Sequence, residues 1–162
     1  MYDFDLTGAG TRTAGFAIAA VIARPIGGIV SDRIGPARIV AVSLIGAAVL
    51  AIVIALKPAP ELAAGSAFVA MAFALGLGTG GVFAWVAARA PAERVGSVTG
   101  LVGAAGGLGG YFPPLVMGAT YNEATHSYTI GLVLLCMTAL AALAFTIVLS
   151  RRAATSAPAT VS

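Results

Sequence analysis

The sequence predicts an all-α protein that crosses a membrane several times. Only nine Lys or Arg and six Asp or Glu occur among 162 residues, so 15 residues, or 9%, are charged. A soluble domain carries about 25% charged residues, so this chain has too few to cover a surface facing water. Hydrophobic residues make up 59% of the chain, and the mean hydropathy is +1.00.

Long stretches without charge predict the individual spans, because about 20 apolar residues are needed to cross a bilayer. The runs 39–56, 62–88, 95–122 and 127–150 are free of charge, and only Arg24 interrupts an earlier run over 13–31. Their polarity does not alternate as the strands of a membrane barrel require. We therefore expect a transmembrane domain over residues 1–150, with helices at about 10–31, 39–57, 62–88, 96–120 and 128–150.

The distribution of Lys and Arg predicts the orientation, because cytoplasmic loops are enriched in both residues. Only Arg12 and Lys57 lie on one side of the predicted topology. The opposite side is expected in the cytoplasm together with a disordered tail over 151–162, which places the N-terminus outside. The acidic start at residues 1–5 resembles an extracellular loop, so we expect a fragment of a larger membrane protein. The arginines of the cytoplasmic side are Arg33, Arg38, Arg89, Arg94, Arg151 and Arg152.

Composition excludes several classes of function. No basic stretch is long enough to follow a phosphate backbone, so no nucleic-acid partner is expected. Cys136 is the only cysteine, which excludes a disulfide framework and a cysteine metal site. The predicted spans contain no nucleophile–base pair and no cluster of metal ligands, so we expect neither an enzyme nor a cofactor. They also lack the acid or histidine that a proton-coupled carrier usually keeps in the membrane.

Arg24 is the one charge predicted inside the bilayer. It lies eight residues before Asp32, about 12 Å from the inner boundary at 1.5 Å per residue. An arginine at such depth costs at least about 2.5–3.5 kcal/mol. Its side chain could snorkel to the interface, or it could face a water-accessible cavity where its planar fork of donors binds an oxyanion. Pro25, which lacks an N–H, makes either a packing kink or a hinge beside it.

Glycines recur in two predicted spans. In the fourth span they follow a helical period on one face, which indicates either close helix packing or a smooth path for a small ion. Tyr111, in the middle of that span, could line such a path. The glycines of the third span, over 75–83, follow no strand, so packing is expected there and not a nucleotide loop. Phe83 and Trp85 fit an interfacial aromatic belt. The periodic glycines are Gly96, Gly100, Gly103, Gly107 and Gly110, and Gly106 and Gly109 widen the face.

Residues 28–38 resemble the Gly-x-x-x-Asp-Arg-x-Gly-Arg-Arg/Lys loop of the major facilitator superfamily, although Pro36 and Ala37 depart from its basic end. In that superfamily the loop follows the second helix and again the eighth. Four further spans follow it here, so the resemblance implies helices eight to twelve, which belong to the C-terminal half-bundle. The gating-loop residues that it implies are Gly28, Asp32, Arg33, Gly35 and Arg38.

Two further stretches resemble the nitrate/nitrite porter family of this superfamily. Residues 23–28 are similar to its eighth helix, and residues 100–114 are similar to its glycine-rich signature in the eleventh. The resemblance implies transport of nitrate or nitrite across the plasma membrane by alternating access, as uptake, export or exchange. It also implies a second arginine on the anion, supplied by the missing N-terminal half of the transporter. The substrate-binding residues that it implies are Arg24, Gly106, Gly107, Gly110 and Tyr111.

Two alternatives remain open from the sequence. The chain could belong to a major-facilitator carrier of another small anion, because an arginine fork does not select nitrate by itself. It could also be a truncated membrane fragment that does not transport, because helices one to seven would then be absent.

Overall fold

The computed structural model describes residues 6–56, 62–122 and 128–155. This part of the chain is helical, and each of the five predicted spans corresponds to one α-helix. The all-α prediction is therefore confirmed. The helices are α1 (Leu6–Ile34), α2 (Pro36–Ala55), α3 (Leu62–Arg89), α4 (Val95–Ala119) and α5 (Thr129–Thr155), and a single 3₁₀ turn (Ala92–Arg94) precedes α4.

Four of these helices are long and apolar enough to cross a membrane, namely Gly10–Ile34 of α1, Pro36–Ala55, Gly65–Arg89 of α3 and Thr129–Arg152 of α5. The helix α4 falls outside this group because eight of its 25 residues are glycine, which adds little hydropathy. At 1.5 Å per residue it still extends about 37 Å, more than the roughly 30 Å of a hydrocarbon core. Its length is therefore sufficient for the fourth predicted span, over 96–120.

The connection between the first two helices is shorter than predicted. The helix α1 continues through Asp32 and Arg33, so only Gly35 separates it from α2. Gly35 has a φ of +96°, a conformation that glycine adopts without a Cβ clash. Its N–H donates to the carbonyl oxygen of Ser31 at 2.9 Å, and its own carbonyl accepts from the N–H of Arg38 at 3.2 Å. The expected loop is thus a one-residue break between two helices.

The last helix is longer than predicted. The helix α5 continues past residue 150 to Thr155, so the first part of the expected disordered tail is helical. Arginine and alanine, which occupy residues 151–154, are among the better helix formers. The basic side chains also interact favourably with the negative end of the helix dipole. Residues 156–162 of the predicted tail lie outside the described residues.

The helix α3 is at the centre of the packing. It lies along both α1 and α2, α2 packs in turn on α5, and α4 makes only limited contact with α3 and α5. No residue of α4 is buried among the described residues. The core joins one end of α2, α3 and α5, and its buried members are Ala48, Ala51, Ile54, Ala67, Met71, Leu132, Cys136 and Ala139.

Glycines bring the backbones of α1 and α3 into contact. A Cβ added at Gly80 would lie against the carbonyl oxygen of Arg24 and 2.8 Å from the backbone nitrogen of Gly28. A Cβ added at Gly76 would lie 2.7 Å from the Cβ of Ala23. Neither position has room for a side chain. The packing role expected for the glycines of the third span is therefore confirmed. Gly76 and Gly80 pack on α1, and Gly78 and Gly81 pack on Ser43, Ile39 and Val40 of α2.

Gly80→Ala should lower the free energy of unfolding by about 1–3 kcal/mol, the usual cost of overpacking. The added methyl group meets backbone of α1, which cannot rotate aside as a flexible side chain can. Unfolding can be followed in detergent as the temperature at which a thiol-reactive dye labels Cys136, the only cysteine, whose exposed fraction is 8%.

Gly65→Ala is the matched control, because it lies in the same helix and its added Cβ would meet nothing within 4 Å. It should leave the unfolding temperature unchanged or raise it slightly, since alanine favours helix over glycine. An equal loss of stability in both variants would contradict the packing assigned to Gly80.

Candidate functional site

A cavity of about 540 Å³ lies where α1, α2, α3 and α4 meet, and among the described residues Arg24 is the only charged one that lines it. The remaining polar side chains on its walls are the hydroxyls of Ser43 and Thr79. Apolar side chains and glycines form the rest of the wall. They are Val40, Leu44, Leu75, Gly78, Val82, Phe83, Val102, Gly103, Gly106 and Gly107.

The helix α3 fixes the position of Arg24 in this cavity. The preceding residue, Ala23, is 0% exposed, and the carbonyl oxygen of Arg24 packs against Gly80. The side chain of Arg24 is exposed and lies on the cavity wall. The end of α1 at Ile34 is ten residues, or about 15 Å, further along the helix. The arginine therefore lines a space between helices, about three helical turns away from the end of its own helix.

Pro25 lies inside α1, which continues through it without a break. Because proline has no N–H, the carbonyl of Val21, four residues earlier, loses its usual helical donor. The helix is therefore less strongly hydrogen-bonded next to Arg24 than elsewhere along its length.

Within the described ranges, Arg24 is the only lining side chain that can donate a hydrogen bond to an anion. Ser43 Oγ donates to the carbonyl oxygen of Ala74 at 2.6 Å, and Thr79 Oγ1 donates to that of Leu75 at 2.9 Å. Both hydroxyl hydrogens are therefore used, and these oxygens offer only lone pairs to the cavity. The guanidinium of Arg24 carries five N–H donors. The cavity thus combines one cationic fork with an otherwise apolar wall, an arrangement suited to a small oxyanion.

The structure brings together three of the five predicted substrate-binding residues. Gly106 and Gly107 line the same cavity as Arg24, whereas Gly110 and Tyr111 do not. The side chain of Tyr111 is 64% exposed, and its ring meets that of Phe112 edge-on with centroids 6.0 Å apart. Gly110 and Tyr111 are therefore placed further along α4, beyond the residues that line the cavity.

The predicted gating residues separate into two places. Asp32 and Arg33 are exposed on the last turn of α1, next to the break at Gly35. Arg38, at the start of α2, donates from Nη1 to the carbonyl oxygen of Ile34 at 3.2 Å. Gly28 lies about one turn before Asp32, and its backbone nitrogen faces Gly80 of α3. Gly28 is thus a packing residue in this structure.

Sequence reasoning missed Ser43, Thr79 and Phe83 as lining residues. Thr79 and Phe83 are one helical turn apart, and this spacing could have placed them on one face of α3. We expected Phe83 in the interfacial aromatic belt, but it lies on the cavity wall with Thr79. Ser43 gave no signal, because a lone serine in an apolar run is usually a packing residue.

The glycines of α4 are open, in contrast to those of α3. A Cβ built on any of the eight glycines of α4 would meet nothing within 4 Å among the described residues. The helix is held near its carboxyl end, where a Cβ on Gly131 of α5 would press on Met117 and lie 3.1 Å from Thr120 Oγ1. Near its amino end, Val98 lines a gap shared with Trp85.

Comparison with known proteins matches residues 1–161 to the Major Facilitator Superfamily. The chain is 61% identical over 146 residues to the probable nitrate/nitrite transporter NarK2 of Mycobacterium tuberculosis, covering 90% of this chain and 37% of that protein. It is 38% identical over 134 residues to the nitrite extrusion protein of Bacillus subtilis, covering 82% and 33%. No solved structure matches significantly. The resemblance found in the sequence is therefore confirmed, and the chain spans about a third of the length of these relatives.

Ser43→Ala should lower the free energy of unfolding by about 0.5–1.5 kcal/mol, the usual net value of one hydrogen bond. The loss is modest because the carbonyl of Ala74 keeps its helical partner within α3. Ser97→Ala is the control. The Ser97 hydroxyl donates to the backbone carbonyl oxygen of Arg94 at 2.9 Å, on the surface at the start of α4, so this bond does not connect α4 to another long helix. Both variants are compared by the temperature at which the thiol-reactive dye labels Cys136. A smaller decrease in this temperature for Ser43→Ala than for Ser97→Ala would contradict the interhelical role of Ser43.

Proposed function

We propose, from the premise that this chain belongs to the major facilitator superfamily, that it is the C-terminal part of a nitrate/nitrite porter. The names of the family and of the relatives indicate a multi-pass membrane transporter. Because the chain spans 37% of its Mycobacterium tuberculosis relative, substrate and transport cycle are proposed for a larger protein that contains these helices. Such a porter would work by alternating access, with two half-bundles rocking around a central anion site.

The observation that supports this proposal is the isolated guanidinium of Arg24 in the four-helix cavity. Nitrate and nitrite are planar oxyanions, and an arginine fork can donate two parallel hydrogen bonds to two of their oxygens. The apolar wall lowers the local dielectric, which strengthens the attraction between the anion and the single cation. A second arginine from the missing N-terminal half would complete the clamp on the anion.

The glycines of α4 have a defined place in this proposal. Gly106 and Gly107, which line the same cavity as Arg24, would let the anion approach the helix backbone closely. Gly110 and Tyr111 would face the N-terminal half or the path beyond the central site. Since no side chain projects from this face, α4 could slide against a neighbouring helix as the half-bundles rock.

The ends of the helices would form the cytoplasmic gate. In the proposed orientation the N-terminus lies outside, and the break at Gly35 and the C-terminus lie in the cytoplasm. Asp32, Arg33 and Arg38 would then latch neighbouring helix ends in one state and release them in the other.

A carrier of another small anion is the second candidate, because Arg24 is the only lining donor and would bind other planar oxyanions by the same geometry. Competition on one preparation separates the two. In the nitrate porter, nitrite should compete with labelled nitrate, while small carboxylates such as acetate or formate should not.

Arg24→Lys in the complete porter should reduce nitrate uptake into vesicles by about 10- to 100-fold. Lysine keeps the charge but loses the planar fork, and a hydrogen bond to a charged group is worth about 1.5–3 kcal/mol. Arg12→Lys is the matched control, because Arg12 lies in the same helix but not on the cavity wall, and it should retain uptake. Undiminished uptake by Arg24→Lys would refute the role of Arg24 in binding the anion.

Nitrate should protect a cysteine at position 106 from an uncharged thiol reagent but not a cysteine at position 110. Gly106 shares the cavity with Arg24 and Gly110 does not, so a bound anion should shield only the former. Gly106→Cys and Gly110→Cys are compared in a Cys136→Ala background, with labelling rates measured with and without nitrate. We expect a several-fold slowing at position 106, and equal protection at both positions would argue against an anion held at this cavity.

A further inference from the structure

A second basic site lies at the end of the bundle where α1 meets α2, separate from the cavity of Arg24. A cleft of about 520 Å³ opens there between the Gly35 break, the end of α3 and the end of α5. Arg38 and Arg89 both line it, and none of the lining residues in the described part of the chain carries a carboxylate. The cleft therefore holds two positive charges without a compensating acid on its walls.

Both arginines are positioned by contacts that leave donors available. The guanidinium carbon of Arg89 lies 5.4 Å from the ring centroid of Trp85, a cation–π contact that orients the group without using its N–H donors. Arg38 uses Nη1 for the carbonyl oxygen of Ile34 at 3.2 Å, and the rest of its fork is available. Two oriented guanidinium groups in one cleft are suited to a phosphate, whose oxygens accept several hydrogen bonds.

An apolar groove adjoins this cleft. It has a volume of about 370 Å³, lies between α3, α4 and α5, and shares Trp85 and Arg89 with the cleft. Val86, Val98 and Leu149 contribute to its walls, and Leu149 is 40% exposed. A polar cleft and an apolar groove that meet at one tryptophan and one arginine fit a molecule with an anionic head and a hydrocarbon chain.

We infer that the cleft and the groove together bind one anionic phospholipid of the cytoplasmic leaflet. Its phosphate lies between Arg38 and Arg89, and one acyl chain follows the groove past Val86 and Leu149. Tryptophan at the headgroup level and basic pockets between transmembrane helices are the usual elements of such recognition. The assignment to the cytoplasmic leaflet rests on the orientation given with the proposed function. The lipid site itself does not depend on which anion the porter carries.

Trp85 is the only tryptophan in the 162 residues and provides a built-in probe. The encoded protein is reconstituted in neutral phosphatidylcholine vesicles, with any tryptophan outside these residues replaced by phenylalanine. In separate samples, either phosphatidylglycerol or phosphatidylcholine is then included in both leaflets. Each of these two lipids is brominated near the headgroup end of one acyl chain. Quenching of Trp85 by the anionic lipid should reach half its maximum at a several-fold lower mole fraction than quenching by the neutral lipid. This preference should weaken at high salt.

Arg38→Gln and Arg89→Gln should each reduce the preference for the anionic lipid by about fivefold. Arg94→Gln is the matched control, because it removes the same charge from the same end of the molecule but does not line the cleft. If a glutamine variant fails to fold, Arg38→Lys and Arg89→Lys are used instead. They keep the positive charge and should retain most of the preference for the anionic lipid.

Three results would overturn the inference. Equal quenching by the two lipids in the unchanged protein would exclude recognition of the headgroup. An equal loss of preference in Arg94→Gln would indicate attraction by overall charge alone. Full displacement of the anionic lipid by soluble glycerol phosphate would identify a site for a free anion and not for a lipid. Nitrate uptake is measured in parallel, so failure of the lipid site and failure of the transport proposal remain distinguishable.

Discussion

The arrangement of the cavity depends on the backbone contact between α1 and α3. A Cβ at Gly27 would collide with the backbone of Leu77, and a Cβ at Gly80 would collide with that of Arg24. In a bilayer, burial of apolar surface does not drive helices together, so van der Waals contact between closely approaching backbones does much of this work. Arg24, the charged residue among those described on the cavity wall, is thus held in place because its carbonyl oxygen packs against Gly80.

The other walls take their position from the same central helix. The bond from Ser43 to the carbonyl of Ala74 joins α2 to α3, and Thr79 and Phe83 project from α3 itself. Among the described residues, α4 has no such connection near the cavity, since a Cβ added at any of its glycines would meet nothing within 4 Å. Three walls are therefore fixed relative to one another, and the fourth is attached mainly near its ends. This is the distribution of rigid and movable parts expected if α4 shifts while the arginine stays in place.

The sequence predicted the number and order of the helices well, because charge-free runs are a direct consequence of the cost of charge in lipid. The helix ends were less predictable. We expected α1 to end before Asp32, but Asp32 and Arg33 continue it, because charged residues fit within a helix where their side chains can reach water. The cavity was found through Arg24, Gly106 and Gly107, whereas Ser43 and Phe83 have roles that depend on which neighbour they face. The two glycine-rich helices were equally hard to distinguish from the sequence. A periodic row of glycines permits another helix to approach closely, but it does not show whether one does, and among the described residues only α3 has such neighbours.

The single positive charge on the cavity wall has an electrical consequence for the proposed cycle. Among the lining residues that the structure describes, Arg24 alone is charged, and no carboxylate or histidine stands beside it. A nitrate ion passing there inward would carry its full negative charge against an inside-negative membrane potential, at about 2.3 kcal/mol per 100 mV. Exchanging it for an outgoing nitrite moves no net charge, so that cycle would run on the concentration ratio of the two anions and be indifferent to the voltage.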